Sequence, residues 1–309
     1  MDKSITTPSV VRGLLGTTVT GIACGLAHSM FLDAEGHAHA CGWNQSGQLG
    51  VGPADPQLRK PFRLYLDDSL SLIACGGVHT LFVTRETGRL LATGSNSCGQ
   101  LGIAGGDIFK PVVVDGLKHV RISFAACGEE FSLVVSVEGR VFSFGLNNVG
   151  QLGAPKPDMS AAPIEVDGLG ALAVESVVCT KAQGLAVTAR GQCYYWGMRP
   201  VDTGEGRQTS RAEQLATFAK KEVTRIAAGR DFFAIVVAVT DARRSFATGR
   251  CLNGTVQCGK RGKFSVTAID KNGYMRATGG DRVACFVFHN ESGTALPQKD
   301  VEVFDQQTG

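Results

Sequence analysis

The sequence predicts an all-β chain, mostly a β-propeller of about four blades, followed by a partial immunoglobulin-like β-sandwich. Three observations predict it. First, a short phrase returns at a step of about 50 residues, the interval of solenoids, propellers and arrays. Its copies are Ile22-Ala23-Cys24-Gly25, Ile73-Ala74-Cys75-Gly76, Ala125-Ala126-Cys127-Gly128, the weaker Val177-Val178-Cys179-Thr180, and Ile226-Ala227-Ala228-Gly229. Second, Gly42-Trp43-Asn44-Gln45-Ser46-Gly47-Gln48-Leu49-Gly50 keeps the same beat, returning at 94–102 and 145–153, each time ending Gly-Gln-Leu-Gly. Third, the segments between are short apolar runs bounded by glycine, which read as strands and hairpins.

Taken in order, the chain enters in mid-repeat. Pro8-Ser9-Val10-Val11-Arg12-Gly13-Leu14 matches 111–117 and 163–169, so residues 1–21 read as the tail of a blade whose front is absent. The final copy, Ile226 to Ala238, reads as a front without its tail. The two halves are expected to meet in one blade if four blades suffice; an open arc is the alternative. Within each unit, runs such as Ser29 to Leu32, Thr80 to Val83 and Ser132 to Val135 lead into the turns Glu35-Gly36, Thr87-Gly88 and Glu138-Gly139. In the fourth copy Trp196-Gly197 survives, but Met198-Arg199-Pro200 and a polar loop replace Gly-Gln-Leu-Gly. The best helical candidate is the short stretch Arg211 to Lys220.

These phrases, Ala-Cys-Gly-x-x-His-Ser/Thr and then Gly-x-Asn-x-x-Gly-Gln-Leu-Gly, resemble the regulator-of-chromosome-condensation repeat over residues 8–240. That resemblance implies propeller blades. From Arg244 the beat stops. Ser245 to Gly254, Phe264-Ser265-Val266 with Asp270, and Gly279-Gly280-Asp281 resemble a filamin-type immunoglobulin-like repeat. The domains are therefore expected at 1–240 and 241–309, the second C-terminally incomplete, and the chain is expected to be part of a larger multidomain protein.

Composition narrows the partners. The net charge of +3 spreads over 309 residues, and residues 1–240 hold equal numbers of acidic and basic side chains. No basic footprint for nucleic acid or a membrane surface results. No apolar segment follows Met1-Asp2-Lys3-Ser4 as in a leader, and no run reaches transmembrane length. The ten cysteines sit at strand positions without disulfide-like or Cys-x-x-Cys spacing. Reduced thiols in the cytoplasm are expected, with the nucleus left open, and Cys24, Cys75 and Cys127 are expected to be buried.

Several motifs bear on chemistry. Gly254 to Arg261 nearly spells a phosphate loop, but Arg261 stands where a hydroxyl is needed and a strand follows. His37-Ala38-His39 puts two imidazoles on one strand face; with no matching carboxylate or Cys at a repeat offset, a solvated strand surface is the better reading. His28 and His79 share a position that later holds Phe131, Gln183 and Phe232, which fits a contact between blades and not catalysis. Asn44, Asn96 and Asn147 are expected to bond locally to backbone in the Gly-rich turns. No cofactor, metal or catalytic residue is assigned.

The leading functional expectation is a non-enzymatic protein-interaction scaffold. Its candidate surface is the rim loop carrying Met198, Arg199, Asp202, Glu205, Arg207 and Arg211, the longest and most charged departure from the repeat. The resemblance implies two alternatives. One is the substrate-recognition region of a HECT-like ubiquitin ligase, its catalytic domain lying elsewhere. The other is a guanine-nucleotide exchange factor for a Ran-like small GTPase. Partners are accordingly proteins, with ubiquitination machinery or a small GTPase as the named classes.

Overall fold

The computed structural model describes residues 8–198, 209–218, 223–230, 232–238, 246–249, 264–267 and 283–289. Four antiparallel sheets of four strands follow one another along the chain. The first is β1 (Val19–Cys24), β2 (His28–Asp33), β3 (Ala38–Trp43) and β4 (Gln57–Arg63). The second is β5 (Leu70–Cys75), β6 (His79–Thr84), β7 (Leu90–Gly94) and β8 (Ile108–Val113). The third is β9 (Ile122–Cys127), β10 (Phe131–Ser136), β11 (Val141–Leu146) and β12 (Met159–Glu165). The fourth is β13 (Val174–Cys179), β14 (Gln183–Thr188), β15 (Cys193–Gly197) and β16 (Thr209–Gln214). Each is an up-and-down meander, because short Gly turns can join only antiparallel neighbours.

A fifth sheet has β17 (Val223–Ala228) and β18 (Phe232–Ala238). The chain then forms a two-stranded ribbon, β19 (Phe246–Gly249) with β20 (Phe264–Thr267), and β21 (Val283–His289) pairs antiparallel with β18. Thus β21, within the stretch expected to form a separate module, extends the last repeat sheet. The described residues 211–218 of the expected helix Arg211 to Lys220 are not α-helical. They end β16 and add a single 3-10 turn, Ala216–Phe218, because Tyr194 and Tyr195 pair with Gln214 and Glu213.

Apolar side chains on facing sheets pack into four cores, one per junction. Met30, Leu32, Ala38 and Ala40 meet Leu70 and Phe82. Leu81, Val83 and Ala92 meet Ile122, Ala125, Val134 and Phe142. Leu133 and Val135 meet Val177 and Ala186, and Leu185 and Val187 meet Phe233, Ile235 and Val237. Period-two alternation sends successive residues to opposite faces, so the middle sheets are apolar on both.

The expected meeting of the two half blades does not occur. Val19–Cys24 is the first strand of the first sheet, not a blade tail. The preceding Arg12–Leu14 turn packs against β4 of that same sheet, with Gly13 beside the Pro61 ring. The free edge of β18 is taken by β21. Among the described residues the sheets form an arc and not a closed ring.

The Gly-x-Asn-x-x-Gly-Gln-Leu-Gly loops hold neighbouring sheets in register. In the first, Asn44 Oδ1 accepts from Leu49 N at 3.0 Å, while its amide donates to the carbonyls of Gly52 and Asp55. Asn96 and Asn147 repeat the arrangement. Leu49, Leu101 and Leu152 are fully buried beneath. Gly47 has φ +84°, and a Cβ there would lie 2.5 Å from Ile108 O of the second sheet; both conditions require glycine.

Candidate protein-interaction surface

Each later sheet turns one face toward its predecessor, and among the described residues no sheet faces the corresponding side of the first. Cross-strand register places Ile22 beside Phe31 and Phe31 beside His39. The equivalents in the second sheet, Ile73, Phe82 and Leu91, pack onto the first, and Phe82 is fully buried. In contrast Ile22 is 63% exposed, and Phe31 is only partly covered. Leu26 (56%) and Trp43 (47%) extend the apolar surface at the rim, where Trp43 N donates to Ala27 O. Phe62 and Tyr65 form an edge-to-face pair on the outer strand side. These exposures exceed what scattered surface apolar residues show, because they share one sheet.

The polar half of the inter-sheet interface shows what such a face is built to meet. His28 Nε2 lies 3.1 Å from Thr80 Oγ1, and His79 Nε2 lies 2.9 Å from Ser132 Oγ. The two hydroxyls already donate to Gln48 O and Gln100 O, so each imidazole donates from Nε2. Burial pushes His28 down to about 4 and His79 down to about 3, so both are neutral near pH 7. In the fourth sheet Gly184 replaces the hydroxyl residue, and Trp196 Nε1 donates to Gln151 O instead. His28 and His79 thus join sheets, as the sequence implied. On the first sheet the hydroxyl of this set is Ser29, which takes only a long contact from Cys24 Sγ at 3.7 Å.

The backbone carries the same message. Leu26 N donates to Gly77 O, Gly77 N to Gly128 O and Glu129 O, Glu129 N to Lys181 O, and Lys181 N to Arg230 O. Glu129 also pairs with Lys181 and Arg230, bridging three sheets.

The thiols correct one expectation. Cys24 is exposed, with no described sheet in front of β1, whereas Cys75, Cys127 and Cys179 are half-buried at the same position. Burial raises Cys127 to about 12 and raises Cys75 and Cys179 as well.

Of the rim-loop candidates, Arg199, Asp202, Glu205 and Arg207 lie outside the described residues. Met198 is 40% exposed. Arg211 forms a loose ion pair with Asp167 at 3.7 Å, beside an open cleft of about 450 Å³ lined by residues 165–170, Leu172 and Arg211. Gly254 to Arg261 also lies outside the described residues. His39 is not on a solvated surface as expected; it is buried, with Nε2 2.9 Å from Asp33 Oδ2. The sequence reading missed the open face, since Ile22 and Cys24 look the same as their covered counterparts.

Comparison with known proteins agrees with this architecture. The family model described as the regulator of chromosome condensation (RCC1) repeat matches residues 35–83, 87–135 and 138–187, and a second model of that description matches 19–48, 71–100 and 122–151. The chain therefore contains RCC1 repeats. It is 32% identical over 209 residues to the human probable E3 ubiquitin-protein ligase HERC6, covering 64% of this chain and 20% of that protein. It is 27% identical to the ultraviolet-B receptor UVR8 of Arabidopsis thaliana, covering 88% of this chain and 60% of that one. Among solved structures, human WBSCR16 superposes with a TM-score of 0.64 at 23% identity, covering 72% of this chain and 60% of that chain. Prp20p of Saccharomyces cerevisiae gives 0.62 at 20% identity, covering 72% and 58%. Both structures attest the fold alone. The chain spans a fifth of HERC6 and three fifths of UVR8.

Proposed function

Starting from a chain of RCC1 repeats, we propose that this protein is a non-catalytic protein-interaction scaffold, and that it serves as the recognition part of a ubiquitin-ligase system. One observation carries the scaffold reading: Leu26 and Trp43 stand exposed together at the rim of the first described sheet, where Trp43 N donates to Ala27 O. Interface cores are enriched in such apolar and aromatic groups. The ligase association rests on the similarity to HERC6 and to human HERC3, the latter 31% identical over 200 residues. The rim loop from Met198 to Arg211 remains a second contact region in this proposal, resting on its departure from the repeat. We also keep the filamin-type reading of residues 241–309, resting on its sequence motifs, and a cytoplasmic location, resting on cysteine usage.

The test places a photo-crosslinking residue at Leu26 or Trp43, and at exposed Met159 on the third sheet's outer strand as control. Specific adducts with ubiquitin-pathway proteins from the first two positions, and none from Met159, are expected. Adducts independent of position would defeat the proposal. Nucleotide release from a Ran-like GTPase, catalysed by the chain, would replace it with the exchange-factor reading suggested by the binding of Prp20p to Gsp1p.

A further inference from the structure

We propose that the first hairpin, β2–β3, binds a divalent transition-metal ion of the zinc class through Asp33, His37 and His39, with Glu35 as the outer ligand. Asp33 Oδ2 lies 2.9 Å from His39 Nε2 and 3.3 Å from His37 Nδ1. His37 Nδ1 is 3.2 Å from Glu35 Oε2. Donor atoms around a tetrahedral zinc with bonds of ~2.0–2.1 Å stand ~3.3 Å from one another. Asp33, Glu35 and His37 therefore already hold one ligand atom each within 4.8 Å of the others, and His39 stands on the same Asp33 oxygen. Two imidazoles and two carboxylates suit zinc and its neighbours, whereas calcium and magnesium ask for more oxygen ligands.

The repeat shows that the fold does not need these residues. At the position of Asp33 the other hairpins carry Thr84, Ser136 and Thr188. Each hydroxyl accepts from the backbone amide of the residue that leads into the next strand, Arg89 at 2.8 Å, Arg140 at 3.2 Å and Gln192 at 3.2 Å. Asp33 Oδ1 does the same work, accepting from His37 N at 2.8 Å. The second carboxylate oxygen is surplus to the turn, and it is the one that faces both imidazoles. His37 stands where the repeats hold Arg89, Arg140 and Gln192, and His39 where they hold Leu91, Phe142 and Tyr194. Three positions thus change together to ligand types in this one hairpin among those described.

The setting favours an ion. Asp33 and His39 are buried enough to exclude competing water, while Glu35 and His37 leave an entry path. The nearby cation, Arg63, pairs across strands with His39 but lies toward the Tyr65 ring, 5.9 Å from its centroid. On binding, each ligating ring nitrogen offers its lone pair to the ion and the ring proton sits on the other nitrogen.

The experiment uses the full chain without a polyhistidine tag and in a Cys24→Ser background, titrated with zinc chloride by calorimetry and with cobalt chloride by visible absorption. Single-site saturable binding, a cobalt spectrum of tetrahedral intensity, and a melting temperature that rises with zinc are expected. His37→Arg, His39→Leu and Asp33→Thr each install the second hairpin's residue, so the fold is retained; each is expected to weaken binding at least tenfold. Should a variant fold poorly, zinc-induced shifts of the wild-type imidazole resonances, confined to His37 and His39, give the same answer. Absence of saturable binding overturns the proposal. So does binding undiminished in the His37→Arg/His39→Leu double variant, or resonance shifts centred on another histidine such as His119.

Discussion

His79 Nε2 lies 2.9 Å from Ser132 Oγ, joining residues 53 apart in sequence on adjoining sheets. His28 and Thr80 form the same bond one repeat earlier. In both pairs the hydroxyl spends its proton on a carbonyl, so the imidazole donates from Nε2, while burial keeps the ring neutral and its remaining nitrogen has no partner in the interior.

Acid should therefore loosen the array. Both histidines bind a proton more readily unfolded, near 6.5, than folded, where they fall to about 4 and about 3. Their contribution is complete above pH 6.5 and is lost as pH falls from there through about 4 and about 3. Each unit of depression represents ~1.4 kcal/mol, so the two together withdraw several kcal/mol. Asp33, held at about 2 by its imidazole and amide partners despite burial, adds a further loss below about 3.8. Urea titrations at pH 7.5 and pH 4.5 should show this fall in wild type. A His28→Gln/His79→Gln variant, using the residue already present at Gln183, should show a smaller one.

Thiol chemistry should separate four cysteines that the repeat makes equivalent. Cys24 is expected to react with a maleimide rapidly in the native state. Cys75, Cys127 and Cys179, whose thiols burial pushes up, should react slowly. Peptide mapping after a short pulse checks this; equal labelling of all four would contradict the covered arrangement of the inner strands.

Gly184 and Trp196 should behave as one unit. A Cβ on residue 184 would lie 2.4 Å from Trp196 Cε2, so Gly184→Ser alone is expected to cost ~1–3 kcal/mol through overpacking. Trp196→Phe alone loses area and the bond to Gln151 O. Together the changes recreate the Ser132–Phe144 pair of the third sheet. The double variant should be more stable than the sum of the single losses implies, and a thermodynamic cycle measures that coupling.

The loop asparagines should tolerate no acid. Asn96 accepts from Leu101 N and donates to the carbonyls of Ile103 and Gly105. Asn96→Ala strands these groups at a cost on the order of 3 kcal/mol. Asn96→Asp should be at least as damaging, since a carboxylate keeps the acceptor and loses both donors. Chemical denaturation of the two variants provides the comparison.

These cases show where sequence was informative. Asn44, Asn96 and Asn147 announced their role because their partners lie within a dozen residues and the phrase around them is invariant. His28 and His79 could be assigned to inter-sheet contact because the period brings them opposite the next unit. The Asp33–His39 bond was hidden, since it depends on which carboxylate oxygen the hairpin turn leaves over. Cys24 misled for a different reason: its sequence context matches that of Cys75, and only the lack of a covering sheet among the described residues sets them apart. Arg211 to Lys220 misled because helical propensity within one short segment is weaker than pairing of β16 onto β15.

The relay of backbone bonds from Leu26 through Gly77, Glu129 and Lys181 to Arg230 has a mechanical consequence. Among the described residues each unit is held chiefly by the one before and the one after, with Glu129–Arg230 reaching one unit further, so cooperativity spreads mainly by nearest-neighbour coupling. An arrangement of this kind melts from its ends inward. Under load or mild denaturant, amide-exchange protection should rise with the number of sheets packed on a unit and be high in the second and third sheets, each packed on both faces.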